Sequence, residues 1–222
     1  MRFASLGSGS EGNGLVVESG STRLLLDCGF GLADCKARLA RLGLEPADLA
    51  GIVVTHEHGD HIGGVGRMAR RHRLPVWLTA GTWAMAQDLD GAEIRLIDSH
   101  TKFAVDGLEI QPFPVPHDAR EPVQFVFGDG DRRLGVLTDA GSSTPHIEAM
   151  LVGVDALVLE SNHDAAMLEA GPYPLALKRR VGGPYGHLEN EQAARLLGKL
   201  HHAGLQCVMA AHISRRNNTE AL

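Results

Sequence analysis

The chain has 222 residues, of which 44% are hydrophobic and 22% are charged, with a formal net charge of −6. This composition predicts one globular domain with a substantial core and excludes a uniformly basic nucleic-acid-binding protein, although a local basic surface remains compatible with it. No apolar run approaches the roughly 18 residues of a membrane span, and the start of the chain lacks a signal-peptide pattern, so a cytoplasmic location is expected. The three cysteines are widely spaced and include no C-x-x-C pair, which argues against a disulfide framework.

The first part of the chain is predicted to form three strands and a helix. Residues 1–7, 15–18 and 22–27 have strand patterns, and residues 33–42 have helical spacing that ends at Gly43. The segment Gly7–Gly12 matches G-x-G-x-x-G, but a strand rather than a helix follows it, so we interpret it as a loop that borders the site. Asp27, at the end of the third strand, is either a strand-end cap or a group that orients a metal-bound histidine.

A histidine-rich segment, Thr55 to His61, follows the apolar residues 51–54 and reads Thr-His-Glu-His-Gly-Asp-His. Alternate side chains of an extended segment share one side, which places His56, His58 and Asp60 together, and a turn at Gly59 would bring in His61. Imidazole and carboxylate groups suit zinc, with manganese and iron as rivals. The alternative is a polar loop with incidental histidines, which is disfavoured because one loop rarely satisfies so many titratable groups without a cation.

Strands and helices are predicted to alternate through most of the remaining chain. The predicted helices are 63–71, 81–86, 144–151 and 189–202, and the predicted strands are 76–79, 94–97, 123–127, 133–137, 156–159 and 206–211. Residues 109–115 alternate in polarity but contain or adjoin three prolines, so an edge strand or an extended segment that opens a loop is expected there.

Polar residues that can bind a metal follow the strands that end near residues 55, 138, 159 and 211. In sheet enzymes with helical crossovers, ligands bind at that edge of the sheet. The collected groups are His56, His58 and His117 for one ion, Asp60, His61 and His212 for a second, and Asp139 as a bridge. Two divalent cations can share and activate a hydroxide, so no serine or cysteine nucleophile is required.

The sequence resembles the metallo-β-lactamase superfamily. The resemblance rests on Thr-His-Glu-His-Gly-Asp-His, the lone His117, Thr-Asp-Ala-Gly at 138–141 and Ala-His-Ile-Ser at 211–214. It implies an α/β fold, the αββα sandwich, in which two mixed β-sheets lie face to face with helices on both outer faces and metals at one edge. We expect a single such domain over residues 1–222, lacking part of the usual C-terminal end.

Within that superfamily, the chain resembles the YycJ/WalJ (VicX) group, whose members are regarded as nuclease-like. The matching segments are residues 5–13, 160–164, 186–188 and 212–218. In the related ribonuclease Z-type phosphodiesterases a Gly-His-Ser/Thr motif meets the scissile phosphate; here Gly186-His187 is followed by Leu188. The resemblance implies that His187 is an acid or phosphate contact and acts with Asp60 in catalysis. Glu160 either orients His187 or caps a strand, and His163 either lines the pocket or is satisfied in the core.

The expected function is a dinuclear metal-dependent phosphodiesterase or nuclease that acts on DNA, 5′-3′ exonuclease-like, through a metal-bridging hydroxide. Zinc or manganese is the expected metal, with iron as a further option. Arg215, Arg216 and the run Lys178–Arg180 either contact phosphates or are solvated loop charges. The alternatives are a thioesterase or lactamase-type hydrolase and a non-enzymatic accessory protein of a two-component signalling system. No membrane partner is expected, and a homodimer is one oligomeric state left open.

Overall fold

The computed structural model describes residues 1–219 and 221, and the chain divides into two compact units. Unit 1 comprises Met1–Pro112 with Ala119–Val123, and unit 2 comprises Phe113–Asp118 with Gln124–Leu222. The strands are β1 Arg2–Gly7, β2 Gly14–Ser19, β3 Thr22–Leu26, β4 Gly51–Val53, β5 Val76–Thr79, β6 Ile94–Ile97, β7 Phe103–Val105, β8 Leu108–Pro114, β9 Val123–Gly128, β10 Arg133–Leu137, β11 Ala156–Glu160 and β12 Cys207–Ala211. The helices are α1 Leu32–Ala40, α2 Gly59–Ile62, α3 Val65–His72, α4 Ala80–Met85, α5 Pro145–Leu151, α6 Ala165–Ala170, α7 Leu175–Val181 and α8 Asn190–Leu200.

Two mixed six-stranded sheets form the framework, as the α/β prediction requires. The first has the order β1-β2-β3-β4-β5-β6 and the second the order β12-β11-β10-β9-β8-β7. Strands β1, β2 and β3 pair antiparallel, whereas β3, β4, β5 and β6 pair parallel. In the second sheet β9 and β10 pair antiparallel, and β10, β11 and β12 pair parallel. The parallel strands therefore all release their following loops at one edge of each sheet.

The core of unit 1 explains why its parallel strands are nearly continuous apolar runs. Leu25, Ile52 and Val76 are neighbours in register across β3, β4 and β5, and each is fully buried. Strands covered on both faces have this composition. Removing such a side chain from water stabilises the fold by about 1.5–3 kcal/mol. This packing fixes the end of β4, from which the histidine-rich segment departs.

Unit 2 has its own core and two well-capped helices. The buried residues Phe113, Leu137, Leu159 and Leu196 belong to one apolar cluster that joins the sheet to α5 and α8. Helix α5 begins where Thr144 accepts a hydrogen bond from the Ile147 amide and a proline occupies its first position. Helix α8 begins with a capping box formed by Glu189 and Gln192.

Most predicted elements are confirmed, with one correction and several additions. The segment predicted as an edge strand or loop opening is strand β8, which lies inside the sheet because the unpredicted β7 pairs with it. That pairing covers Leu108 to Ile110 and stops before Pro112, so the prolines leave it intact. Helices α2, α6 and α7 were also not predicted, since each is shorter than two turns or lacks a continuous apolar stripe. The single domain expected over the whole chain stays a prediction. No helix within residues 1–219 is long and apolar enough to cross a membrane.

Candidate metal and catalytic site

The histidine-rich segment of unit 1 brings its imidazoles together directly after β4. The Nε2 atom of His56 lies 3.0 Å from Nδ1 of His58, and the ring centroids of His56 and His61 lie 4.2 Å apart. The short helix α2 begins at Gly59, as the predicted turn requires, and it carries both Asp60 and His61. Nε2 of His61 lies 3.5 Å from Oδ2 of Asp60. The four predicted ligands of this unit therefore lie together.

Asp27 fixes the orientation of this histidine group. Its carboxylate accepts hydrogen bonds of 2.8 Å from Nδ1 of His61 and from both the amide and the hydroxyl of Thr55. The Thr55 hydroxyl in turn lies 2.9 Å from Nδ1 of His56. If both Nδ1 atoms carry the proton, both Nε2 atoms keep a lone pair for a metal. The geometry favours the orienting role of Asp27 over that of a strand-end cap.

The glycine-rich loop before β2 borders this group, and Asn13 is its contact. The Asn13 side-chain nitrogen lies 3.2 Å from Oδ2 of Asp60 and 3.0 Å from Nε2 of His61. The backbone amide of Asn13 also donates to the Asp60 carbonyl at 2.8 Å. Gly29 packs so tightly here that a Cβ would lie 1.8 Å from that same carbonyl oxygen. The sequence interpretation placed the loop at the site but did not single out Asn13.

Unit 2 gathers a second group of candidate ligands from the ends of β10 and β12 and from the turn between α7 and α8. Asp139, His187 and His212 each offer one ligand atom, and these atoms lie within 4.8 Å of one another. Nδ1 of His212 lies 3.1 Å from Oδ2 of Asp139. His117 lies at the same group, with its Nε2 4.0 Å from Oδ1 of Asp139 and its Nδ1 donating to the Gly186 carbonyl at 3.0 Å. This carbonyl contact again leaves Nε2 with its lone pair.

Glu160 is a fully buried carboxylate of unit 2, and it holds His187. Its Oε1 accepts a hydrogen bond of 2.8 Å from Nδ1 of His187, and its Oε2 accepts from the amides of Ala140 and Leu188. Glu160 is fully buried, whereas the side chain of His187 is 22% exposed. Burial alone would lower the pKa of His187, but the hydrogen bond and charge of Glu160, with the charge of Asp139, raise it to about 9. The geometry favours the orienting role for Glu160.

Three residues of the two groups have left-handed backbone conformations. Asp27, Asp139 and His212 have φ values of 59°, 52° and 52°, and they follow β3, β10 and β12 closely. A side chain in this region costs free energy that the surrounding structure must offset, and such residues concentrate at functional sites. The backbone conformation thus supports these positions independently of their side-chain chemistry.

The remaining predicted residues have different surroundings. His163 is buried, with Nδ1 3.3 Å from the Asn162 side-chain oxygen, and burial lowers its pKa; its substrate role stays a prediction. Arg215 and Arg216 are exposed. Asn162, which the sequence interpretation did not single out by role, donates its side-chain amide to the His212 carbonyl at 2.7 Å and its backbone amide to the Leu188 carbonyl at 3.0 Å. It therefore links the loops that carry His187 and His212.

The residues of each group fit a divalent cation. Imidazole nitrogens and carboxylate oxygens are the ligands of zinc, manganese and iron in proteins. Most of these residues are buried, and the imidazoles of His61 and His117 are oriented through the ring nitrogen that is not needed for a metal. Both units therefore carry candidate metal-binding groups.

The comparisons with known proteins agree with this chemistry. Residues 22–213 match the family model of the β-lactamase superfamily domain. The chain is 36% identical to "Exodeoxyribonuclease YycJ" of Bacillus anthracis and 30% identical to "Exodeoxyribonuclease WalJ" of Streptococcus pneumoniae, with all of this chain and 86% and 84% of those proteins covered. The solved structure of a "New Diphosphatase from the PhnP Family" is 20% identical with a TM-score of 0.74, covering 99% of this chain and 88% of that one. This structural likeness shows the fold.

Proposed function

Because the chain belongs to the metallo-β-lactamase superfamily, in the family of the YycJ and WalJ proteins, we propose that it is a two-metal phosphodiesterase. Its proposed substrate is DNA, which it degrades from an end in the 5′-3′ direction. Support for the substrate comes from the two relatives named exodeoxyribonucleases, which match this chain over its entire length. The predicted cytoplasmic location and homodimer stay predictions.

The proposed ligands are the seven residues taken from the strand ends. One ion is assigned His56, His58 and His117, the second is assigned Asp60, His61 and His212, and Asp139 is the proposed bridge. When bound, two divalent cations such as zinc or manganese supply an activated water and polarise the phosphodiester. The donor types and their ring orientation within each unit support this assignment.

The observation that carries the phosphodiesterase proposal is the hydrogen bond between His187 and Glu160. A buried carboxylate holds an imidazole that remains partly exposed, so Nε2 of His187 is left to meet a substrate. An imidazole held by a carboxylate donates to an oxygen that carries or develops negative charge. We propose that His187 contacts the scissile phosphate and protonates the leaving oxygen, while Arg215 and Arg216 contact further phosphates.

The test measures hydrolysis by the purified protein with added manganese or zinc. The substrates are DNA labelled at either end, a thioester and a lactam, so that the class of bond is decided together with the direction of degradation. Cleavage of DNA from its 5′ end, with slow turnover of the other two substrates, is expected. Asp60→Ala and Asp60→Asn should lose this activity, and Asp34→Ala, which removes an exposed carboxylate of α1, should retain it. Undiminished cleavage by both Asp60 variants would contradict the proposal.

A further inference from the structure

A short basic helix precedes the catalytic loop of unit 2. Helix α7 has no buried residue, and Lys178, Arg179 and Arg180 occupy its last turn. The whole chain carries a net charge of −6, so these three successive cations form a positively charged segment on a negatively charged protein. Cations on an exposed surface supply the sequence-independent contacts to a phosphate backbone.

Arg180 fixes this basic turn next to a candidate ligand. Its guanidinium donates to the carboxylate of Asp118, the residue that directly follows His117. Since both residues belong to unit 2, the contact joins the end of α7 to the loop after β8 within one compact unit. Arg179 remains exposed beside this anchored pair.

The turn between α7 and His187 is closely packed. The Gly186 amide donates to the Gly183 carbonyl and the His187 amide to the Val181 carbonyl, both at 2.9 Å. A Cβ at Gly186 would lie 2.1 Å from the carbonyl oxygen of Arg180, so a larger residue would not fit. The turn is thus held in one conformation by its own backbone and by the end of the helix.

Tyr185 lies on this turn with its side chain directed to solvent. The residue is 62% exposed, whereas Gly186 and Leu188, which follow it in the same turn, are buried. Two peptide units separate it from His187, which limits the distance between their Cα atoms to about 7 Å. An exposed aromatic ring on a closely packed turn offers a flat face on which a nucleobase can stack, and such stacking tolerates any base.

Resting on the proposed function, we propose that Tyr185 stacks on the nucleobase on the inner side of the scissile phosphate while Arg179 contacts the adjoining backbone. The preferred substrate is then an unpaired DNA end. Both faces of a base inside a duplex are covered by its neighbours, so the base on the inner side of the scissile phosphate must unstack before Tyr185 can reach it. The inference specifies the substrate class of the site, which the metal-binding groups alone do not.

The experiment compares Tyr185→Leu with Tyr185→Phe and with the wild-type protein in the presence of manganese. The substrates are a single-stranded oligonucleotide, its blunt duplex, and a single strand whose terminal nucleotides are abasic. We expect Tyr185→Leu to lower kcat/KM about tenfold on the intact single strand, in keeping with the stacking contribution of one base. Tyr185→Phe should retain the wild-type rate, since the ring alone carries the contact. Leu175→Ala, which alters an equally exposed apolar residue of α7, is the matched control.

Two further comparisons decide the inference. On the abasic strand the wild-type protein and Tyr185→Leu should have equal rates, and the wild-type preference for the single strand over the duplex should shrink in the variant. Binding of the intact and abasic strands, measured by fluorescence anisotropy, should show the same dependence without requiring cleavage. Equal binding of the intact strand by all variants, or the same loss on the abasic strand, would overturn the stacking role. A wild-type protein that cleaves no oligonucleotide would instead overturn the proposed function, and the binding comparison would still decide the stacking.

Discussion

Each unit contains a carboxylate hydrogen-bonded to an imidazole, and the two imidazoles differ in their exposure to solvent. In unit 1 Asp27 accepts a hydrogen bond of 2.8 Å from Nδ1 of His61, and in unit 2 Glu160 accepts one of 2.8 Å from Nδ1 of His187. Both carboxylates are buried and lie at or directly after the end of a strand. The imidazoles differ, because the His61 side chain is 1% exposed and that of His187 is 22% exposed.

This difference shows how one chemical pair can serve two roles. A buried imidazole whose Nδ1 proton is held by a carboxylate presents a fixed lone pair, which is what a metal ligand needs. A partly exposed imidazole in the same arrangement remains within reach of a substrate, which is what a proton donor needs. Exposure to solvent, rather than the pairing itself, therefore separates the predicted ligand from the predicted acid.

The strongest test of this separation is His187→Ala. We expect kcat on DNA to fall by about 10²- to 10⁴-fold because a positioned acid is lost. The metal content should remain at the wild-type value, measured by elemental analysis of the dialysed protein. His201→Ala, at an exposed histidine after α8, serves as the control. If His187→Ala loses its metal, His187 is a ligand and the two imidazoles do not differ in role.

The second test exchanges the buried carboxylates for amides. Asp27→Asn should weaken zinc affinity about 10- to 100-fold. The reason is that His61 loses the carboxylate that holds its ring in place and makes it a stronger metal ligand. Titration with a competing chelator measures that affinity. Glu160→Gln should leave zinc affinity unchanged while it lowers kcat. The opposite pattern, with the affinity lost only in Glu160→Gln, would reverse the assignment of the two pairs.

A smaller effect is expected for Asn162→Ala, which removes the hydrogen bond to the His212 carbonyl. A buried acceptor left without its donor lowers the free energy of unfolding by about 1–3 kcal/mol. Urea denaturation of the metal-free protein measures this change. Asn190→Ala, which removes a half-buried amide bonded to Asn218, should have a lesser effect. An unchanged midpoint would show that Asn162 does not hold the His212 loop.

The smallest effect is expected at a turn of unit 1 that is remote from the hydrogen-bonded pair of Asp27 and His61. Gly20 has a φ of 57° in the turn between β2 and β3, and no atom lies within 4 Å of a Cβ built there. Gly20→Asn should change the free energy of unfolding by less than about 1 kcal/mol, since asparagine tolerates this conformation. DNA cleavage should be unchanged. A large loss of activity would show that the hairpin, and not only the ligand loop, determines the site.

The unit 1 ligands were predictable because they lie within six consecutive positions after one apolar strand. The unit 2 residues are separated by up to 95 positions, from His117 to His212, and only the rule that parallel strands end at one edge, together with the family resemblance, brought them into one list. Contacts that depend on packing were not predictable. The bond from Asn13 to Asp60 and the bond from Asn162 to the His212 carbonyl each join segments that become neighbours only after the sheet of their own unit has formed.

The left-handed backbone at Asp27, Asp139 and His212 sets folding and activity against each other in this molecule. Each of these conformations costs about 1–3 kcal/mol for a residue with a side chain, and glycine would adopt it without that cost. At Asp27 the lost hydrogen bonds to Thr55 and His61 would offset this gain. Glycine variants selected for heat resistance alone would therefore recur at Asp139 and His212. Such variants would gain thermal stability but lose the side chains that the chemistry requires. Screens for a stable enzyme of this family should therefore measure turnover and melting temperature together.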